Sequence, residues 1–200
     1  MKLFSKHKDM NKISQLYEDR ANLSKVAYEA LRTEDIKGDL RIFRVRIFSN
    51  YELPASYGVY QNYHQPDKYF GIIKRWRQDT DLNKLRNPIE RLKHPEHLKP
   101  TIENYSFELE IGFIQSVLDE LKVIKLPVFI GDYSPRGLDR INYEIELGSL
   151  FSTSRFYWSE KCPSEWEPLK KFIQKIVQLL DKELTNQSIN QQEKLPNNAN

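Results

Sequence analysis

Between Arg140 and Leu147 the chain alternates strictly, with Ile141, Tyr143, Ile145 and Leu147 apolar and Arg140, Asn142, Glu144 and Glu146 polar. A period of two puts the first set on one side of an extended backbone and the second on the other, so this stretch reads as a strand with one dry and one wet face. After a connection from Gly148 to Ser152, Phe156 and Trp158 alternate with Arg155 and Tyr157. A second strand folding back as a hairpin adds its aromatics to the same dry face. A helix follows directly. Ser164 precedes Glu167 as in a capping box, Pro168 falls in the first turns, and Trp166, Leu169, Phe172, Ile173, Ile176, Val177, Leu180 and Leu184 recur at helical spacing. That stripe must be buried, and the hairpin is the surface beside it.

The same residues carry a resemblance. The run GLDRINYEIELG, followed by FYW and then by P-x-E-W-E-P-L, resembles a pattern found in a group of short bacterial proteins of unknown function, in which a G-L-D-type turn precedes the first strand. It covers the last third to half of the chain, and its motifs are structural. Some members of that group look like immunity or other interaction factors. The resemblance therefore favours an interaction factor, transfers no function and assigns no catalytic residue.

Upstream, Met10, Ile13, Leu16, Leu23, Ala27 and Ala30 space a helix from about Asp9 to Arg32. Arg20 interrupts its thin stripe, which predicts a helix loosely packed on the domain or partly exposed, or else one that docks a partner. Phe43, Val45 and Ile47 alternate with Arg44 and Arg46, giving a strand over Leu40 to Phe48. A short strand is expected near Tyr57 to Tyr63, a turn at His64 to Asp67, and a further strand over Tyr69 to Arg77. Lys74 falls on that strand's apolar side and predicts a bulge or an edge.

The segment from Asp79 to Pro100 is charged, with a short helix expected from Pro88 to about Lys93. Phe107, Ile111, Ile114, Val117, Leu118 and Leu121 predict a helix from about Ser106 to Val123, against a rival strand through Tyr105, Phe107, Leu109 and Ile111. The tail from Thr185 is Asn/Gln-rich and expected to be disordered. The fold class expected is α+β. One domain over 39–184 holds an antiparallel sheet of four to five strands with two main helices on one face, preceded by an N-terminal helical extension over 1–38.

Composition narrows the function classes. With 39% hydrophobic and 30% charged residues the chain suits a globular domain, and no apolar run approaches the ~18 residues of a membrane span. MKLFSKHKDMNK leads into no apolar stretch, so no secretory signal is expected. Cys162 is the single cysteine, which excludes an intramolecular disulfide and fits a reducing cytoplasm. Residues 1–38 carry 8 basic and 6 acidic groups, 39–99 carry 12 and 7, and 100–200 carry 11 and 15. Such a gradient marks either an anionic partner or two parts of one sheet that neutralise each other.

Chemistry-bearing constellations are few. His94 and His97 place two imidazoles close together, but neither Cys162 nor His64 stands where a third zinc ligand would. Cys162 with any of the four histidines could form a nucleophile and base, yet Lys161-Cys162-Pro163 is also the turn into the last helix, and a thiol activated by a helix start is reactive without being catalytic. Glu144 and Glu146 lie two apart on a wet strand face, and Asp139 suits a hydrogen bond to its own turn after Gly137. No phosphate-cradling glycine loop, zinc-protease helix or serine elbow occurs. No cofactor and no metal are expected.

The leading functional candidate is a basic sheet face of Arg44, Arg46, Arg75 and Arg77 with Tyr51, Tyr60 and Tyr63 nearby, joined as a binding residue by Asp139 in its loop. Three readings compete for the arginines: internal cross-strand pairing with Glu144 and Glu146, an anionic protein partner, and single-stranded RNA. The expectation is a cytoplasmic, non-catalytic protein-binding factor of an immunity or regulatory kind. An RNA-binding module comes second, and an enzyme with an unrecognised site third.

Overall fold

The structure is a computed structural model that describes residues 3–33, 39–49, 53–87, 99–125, 141–149, 152–159 and 162–193. Along the chain run α1 (Leu3–Arg32), β1 (Leu40–Phe48), β2 (Ala55–Gln61), β3 (Tyr69–Trp76), α2 (Gln78–Arg86), β4 (Ile102–Leu109), α3 (Ile111–Val123), β5 (Asn142–Ser149) and β6 (Ser152–Ser159). A 3-10 turn (Ser164–Trp166) then leads into α4 (Glu167–Glu193). The class is α+β, as expected, and the sheet has six antiparallel strands in the order β4-β3-β2-β1-β5-β6. Strands β1 to β4 form a meander, and the chain then returns to place the β5–β6 hairpin on the other side of β1.

Period-two alternation sorts the side chains into two cores. On one face Phe43, Val45, Tyr57, Val59, Ile73, Ile145 and Trp158 meet Leu169, Phe172, Ile173, Ile176 and Leu180 of α4 and Ile114 and Val117 of α3. Trp158 is fully buried, stacked on its register partner Tyr143 with ring centroids 5.6 Å apart, and the partly buried Trp166 meets it edge-on at 6.0 Å. The hairpin and the last helix therefore pack as their sequences require.

The opposite face holds a second core that the thin α1 stripe did not announce. Leu23, Ala27 and Leu31, spaced four apart, are fully buried against Phe48, Trp76 and Leu85. A narrow row containing alanine lets a helix lie close to the sheet, so few apolar residues are enough to seat it. The second half of α1 is thus docked rather than loosely packed. Helix α2, which the charge-rich sequence hid, contributes Leu85 to the same core and the buried Asp81. Asp81 accepts hydrogen bonds from Trp76 Nε1 at 2.9 Å, from the Thr101 amide at 2.6 Å and from Thr101 Oγ1 at 2.7 Å, tying β3, α2 and the approach to β4 together.

Other expectations need correction. Phe107 and Leu109 belong to β4, and the helix begins only at Ile111, after Glu110. Lys74 sits in unbroken register in the interior strand β3, at neither a bulge nor an edge. Ser164 does not cap α4: its hydroxyl bonds Glu165 Oε2 at 3.0 Å in the 3-10 turn, and the α-helix starts at Glu167. That helix runs past Leu184 to Glu193, and Gln187 Nε2 donates to the Glu108 carbonyl at 3.3 Å. The short helix expected from Pro88 to Lys93 lies outside the described residues.

Candidate functional site

Register decides the chemistry of the face on which α1 lies. Gly58, Arg44, Glu146 and Arg155 stand directly opposite one another across β2, β1, β5 and β6, and Ser56, Arg46, Glu144 and Tyr157 form the next row. Each glutamate has an arginine beside it on β1. Arg44 donates to Glu146 Oε2 through Nη2 at 2.7 Å and Nε at 3.2 Å. Arg46 Nη2 reaches the same oxygen at 3.2 Å while its Nη1 lies 2.9 Å from Glu144 Oε1. From β6, Arg155 places Nη2 on Glu146 Oε1 and Nε 3.3 Å from Glu144 Oε1.

Two further guanidinium groups join by less regular routes. The β1–β2 register slips between Arg41 and Phe43, so that Ile42 is an extra residue and Arg41 turns to the same face as Arg44. Its Nη1 lies 3.0 Å from Glu146 Oε2, and its Nε and Nη2 donate to the Gly148 carbonyl at 3.3 Å and Thr153 Oγ1 at 3.2 Å. Arg32, in the last turn of α1, lies over the Phe48 ring at 4.9 Å with Nε 3.7 Å from Glu144 Oε2. Alternation alone would have put Arg41 in the core, and nothing local ties Arg32 or Arg155 to the site.

Among the described residues five guanidinium groups therefore surround two carboxylates, an excess of three positive charges. Burial by itself would raise the Glu146 carboxyl, but the hydrogen bond from Arg44 and the charges of Arg46 and Arg44 hold it at about 2. Burial, reinforced by the neighbouring Arg44, lowers the Arg46 guanidinium from its usual value. The two glutamates are almost inaccessible, whereas the Arg155 and Arg32 side chains are 63% and 51% exposed and Tyr157 is open beside them. Burial and Glu144 raise the Tyr157 hydroxyl. The face is a fixed positive surface with a negative foundation. General acid–base catalysis near neutrality needs a group poised near the working pH, and Glu146 is far from it.

The four sequence-predicted arginines do not share a face. Arg44 and Arg46 belong to this cluster, while Arg75 points to the α4 side, where Nη2 donates to Asp181 Oδ1 at 2.6 Å. Arg77, just beyond β3, pairs with Glu103 at 2.9 Å. Tyr60 is buried with its ring against Gly58, and Tyr63 is exposed in the β2–β3 turn, edge-on to His64 at 5.4 Å. Tyr51, Asp139, His94 and His97 lie outside the described residues. Cys162 is half-buried, and burial together with Glu167 pushes its thiol up to about 11, the reverse of the activation a helix start could have given.

Elsewhere, a cleft of about 540 Å³ between β4, the start of α3 and the end of α4 is lined by Glu108, Glu110 and Glu183. Among the described residues no three His, Cys, Asp or Glu side chains are grouped to hold a metal ion, and no helix is long and apolar enough to cross a membrane. Compared with known proteins, the chain matches no family model, no curated protein and no solved structure.

Proposed function

We propose that this protein is a non-catalytic binding factor, of an immunity or regulatory kind, that docks an acidic segment of another protein on the face formed by β1, β5, β6 and the end of α1. The observation that carries this reading is the excess of three positive charges over two buried carboxylates among the described residues, with Arg32, Arg155 and Tyr157 open to solvent at its rim. Arginine and tyrosine are enriched where partner proteins contribute most binding energy, and the buried glutamates hold the guanidinium groups in place before any partner arrives. Single-stranded RNA would ask for a row of exposed rings, and Tyr157 is the exposed ring on this face among the described residues. A single cysteine fits the reducing cytoplasm as the place of action.

The test is affinity capture from native cytoplasm with wild-type protein, the double variant Arg32→Glu/Arg155→Glu, and Lys122→Glu on the far side of the sheet as a control. The double variant should lose an acidic protein partner that the control retains, and raised salt should weaken capture chiefly through a slower association rate. An identical set of captured proteins for all three, or a nucleic acid as the only captured species, would overturn the reading.

A further inference from the structure

We infer that β6 accepts an acidic, extended peptide as a seventh strand, with the peptide's carboxylates lying over the arginine face. The inference rests on the binding reading above and names the geometry by which the partner docks.

Among the described residues the sheet ends at β6, and no strand pairs with its outer side. In an antiparallel ladder every second residue of an edge strand turns its N–H and C=O away from its neighbour, which leaves a row of donors and acceptors. Natural edges are blunted by proline, bulges, brevity or charged side chains. Strand β6 lacks the first three, being eight residues long, without proline and in unbroken register with β5 from Ser159 to Ser152, and its one charge, Arg155, repels a basic strand while attracting an acidic one. Thr153, Ser154, Arg155 and Tyr157 are exposed along it.

Charge selects the occupant and the edge. On an antiparallel partner strand, side chains directly opposite Arg155 and Tyr157 would fall on the arginine face, where an excess of three positive charges favours Asp or Glu. The other edge, β4, carries Glu108, whose carbonyl is occupied by Gln187, and a Glu103 already paired with Arg77, so among the described residues it offers the same peptide no comparable excess of positive charge. A second copy of this chain added at β6 would bring two such positive faces together, which disfavours a dimer through this edge.

The probe is a fluorescein-labelled nonapeptide of alternating Glu and Val, compared with its Lys/Val counterpart and with a Glu/Val peptide N-methylated at alternate residues. Binding is read by fluorescence anisotropy on the full chain, and amide hydrogen exchange of β6 is followed with and without peptide. The Glu/Val peptide is expected to bind and to slow exchange of alternate β6 amides. N-methylation on the pairing side should weaken it at least tenfold, and Arg155→Glu should do the same. Equal binding of the methylated peptide would overturn strand addition while leaving the acidic-partner reading intact. Equal binding of the Lys/Val peptide, or no binding of any peptide at millimolar concentration, would overturn both. Outward β6 amides already protected in the free monomer, or protected through a dimer seen by sedimentation, would show the edge occupied by this chain itself and overturn strand addition alone.

Discussion

Lys74 Nζ lies 2.8 Å from the carbonyl oxygen of Thr33 and 3.4 Å from that of Ala30, so a buried ammonium on the sheet meets the C-terminal end of α1. Arg44 Nη1 completes the contact on the Arg32 carbonyl at 2.9 Å. The last carbonyls of a helix have no partners of their own and carry the negative end of its dipole. A lysine that breaks the apolar pattern of β3 is thus the cap of a helix some forty residues earlier in the chain.

Replacing Lys74 by Met should therefore cost about 1.5–3 kcal/mol, the range for hydrogen bonds to a charged group. Urea denaturation gives the magnitude. Amide exchange at Leu31 should accelerate more than at Ile173, because the cap holds α1 and not α4. Unchanged exchange at Leu31 would show that the apolar row alone seats the helix.

Glu146→Gln should destabilise the fold by about 3–5 kcal/mol, the penalty for removing one partner of a buried charge pair. Its pH signature follows from the carboxyl held at about 2, below the usual value near 4.5. A depressed carboxyl contributes stability above its unfolded value and loses it as pH falls through the folded one, here between about pH 5 and pH 2 and on the order of 3 kcal/mol in all. Asp81, lowered by its Thr101, Trp76 and Lys84 hydrogen bonds against the opposing effect of burial, acts in the same direction. Thermal melts over that range should flatten in Glu146→Gln, and a slope identical to wild type would remove Glu146 as the source.

Gly71 stands opposite Phe107, and a Cβ built there would lie 2.6 Å from the Phe107 ring. The ring covers the glycine backbone, so Gly71→Ala overpacks the site and should cost about 1–3 kcal/mol. Adding Phe107→Leu should recover part of that loss in a double-mutant cycle. Additive effects would mean that the ring moves aside freely.

Cys162 should react with iodoacetamide at pH 8 roughly tenfold or more slowly than a free thiol, since the thiolate is the nucleophile and its fraction is small when the thiol sits at about 11. A rate at or above that of free cysteine would mean the turn before α4 opens readily.

The hairpin and α4 were legible because their periodicities are local and long: β5 alternates over its whole length and α4 repeats Leu169, Phe172, Ile173 and Ile176. Around Phe107 two periods overlap, since Phe107 and Ile111 fit a helix while Phe107 and Leu109 fit a strand. The sheet decided, because β4 completes the ladder on β3. Pairing of Arg44 and Arg46 with Glu146 and Glu144 was one of three open readings, because register between strands a hundred residues apart has no local signal. Arg75 and Arg77 alternate with the apolar Trp76 as Arg44 and Arg46 do with Val45, and only the position of β3 in the sheet sends Arg75 to the other side. The contribution of Arg41 depends on one extra residue, Ile42, which no alternation pattern reveals.

Strand β1 lies between a neighbour that follows it closely and one that arrives about a hundred residues later. During synthesis at ~5–20 residues per second, the β1–β4 meander leaves the ribosome several seconds before β5. Over that interval the side of β1 that will take β5 is an open template, and nascent chains from neighbouring ribosomes offer the same strand to one another. Arg41, Arg44 and Arg46 lie along it before Glu144 and Glu146 have been made, and like charges opposite one another oppose such pairing. The arginines thus guard the unfinished sheet against its own copies, until Glu144 and Glu146 arrive and turn that repulsion into the seam that closes it.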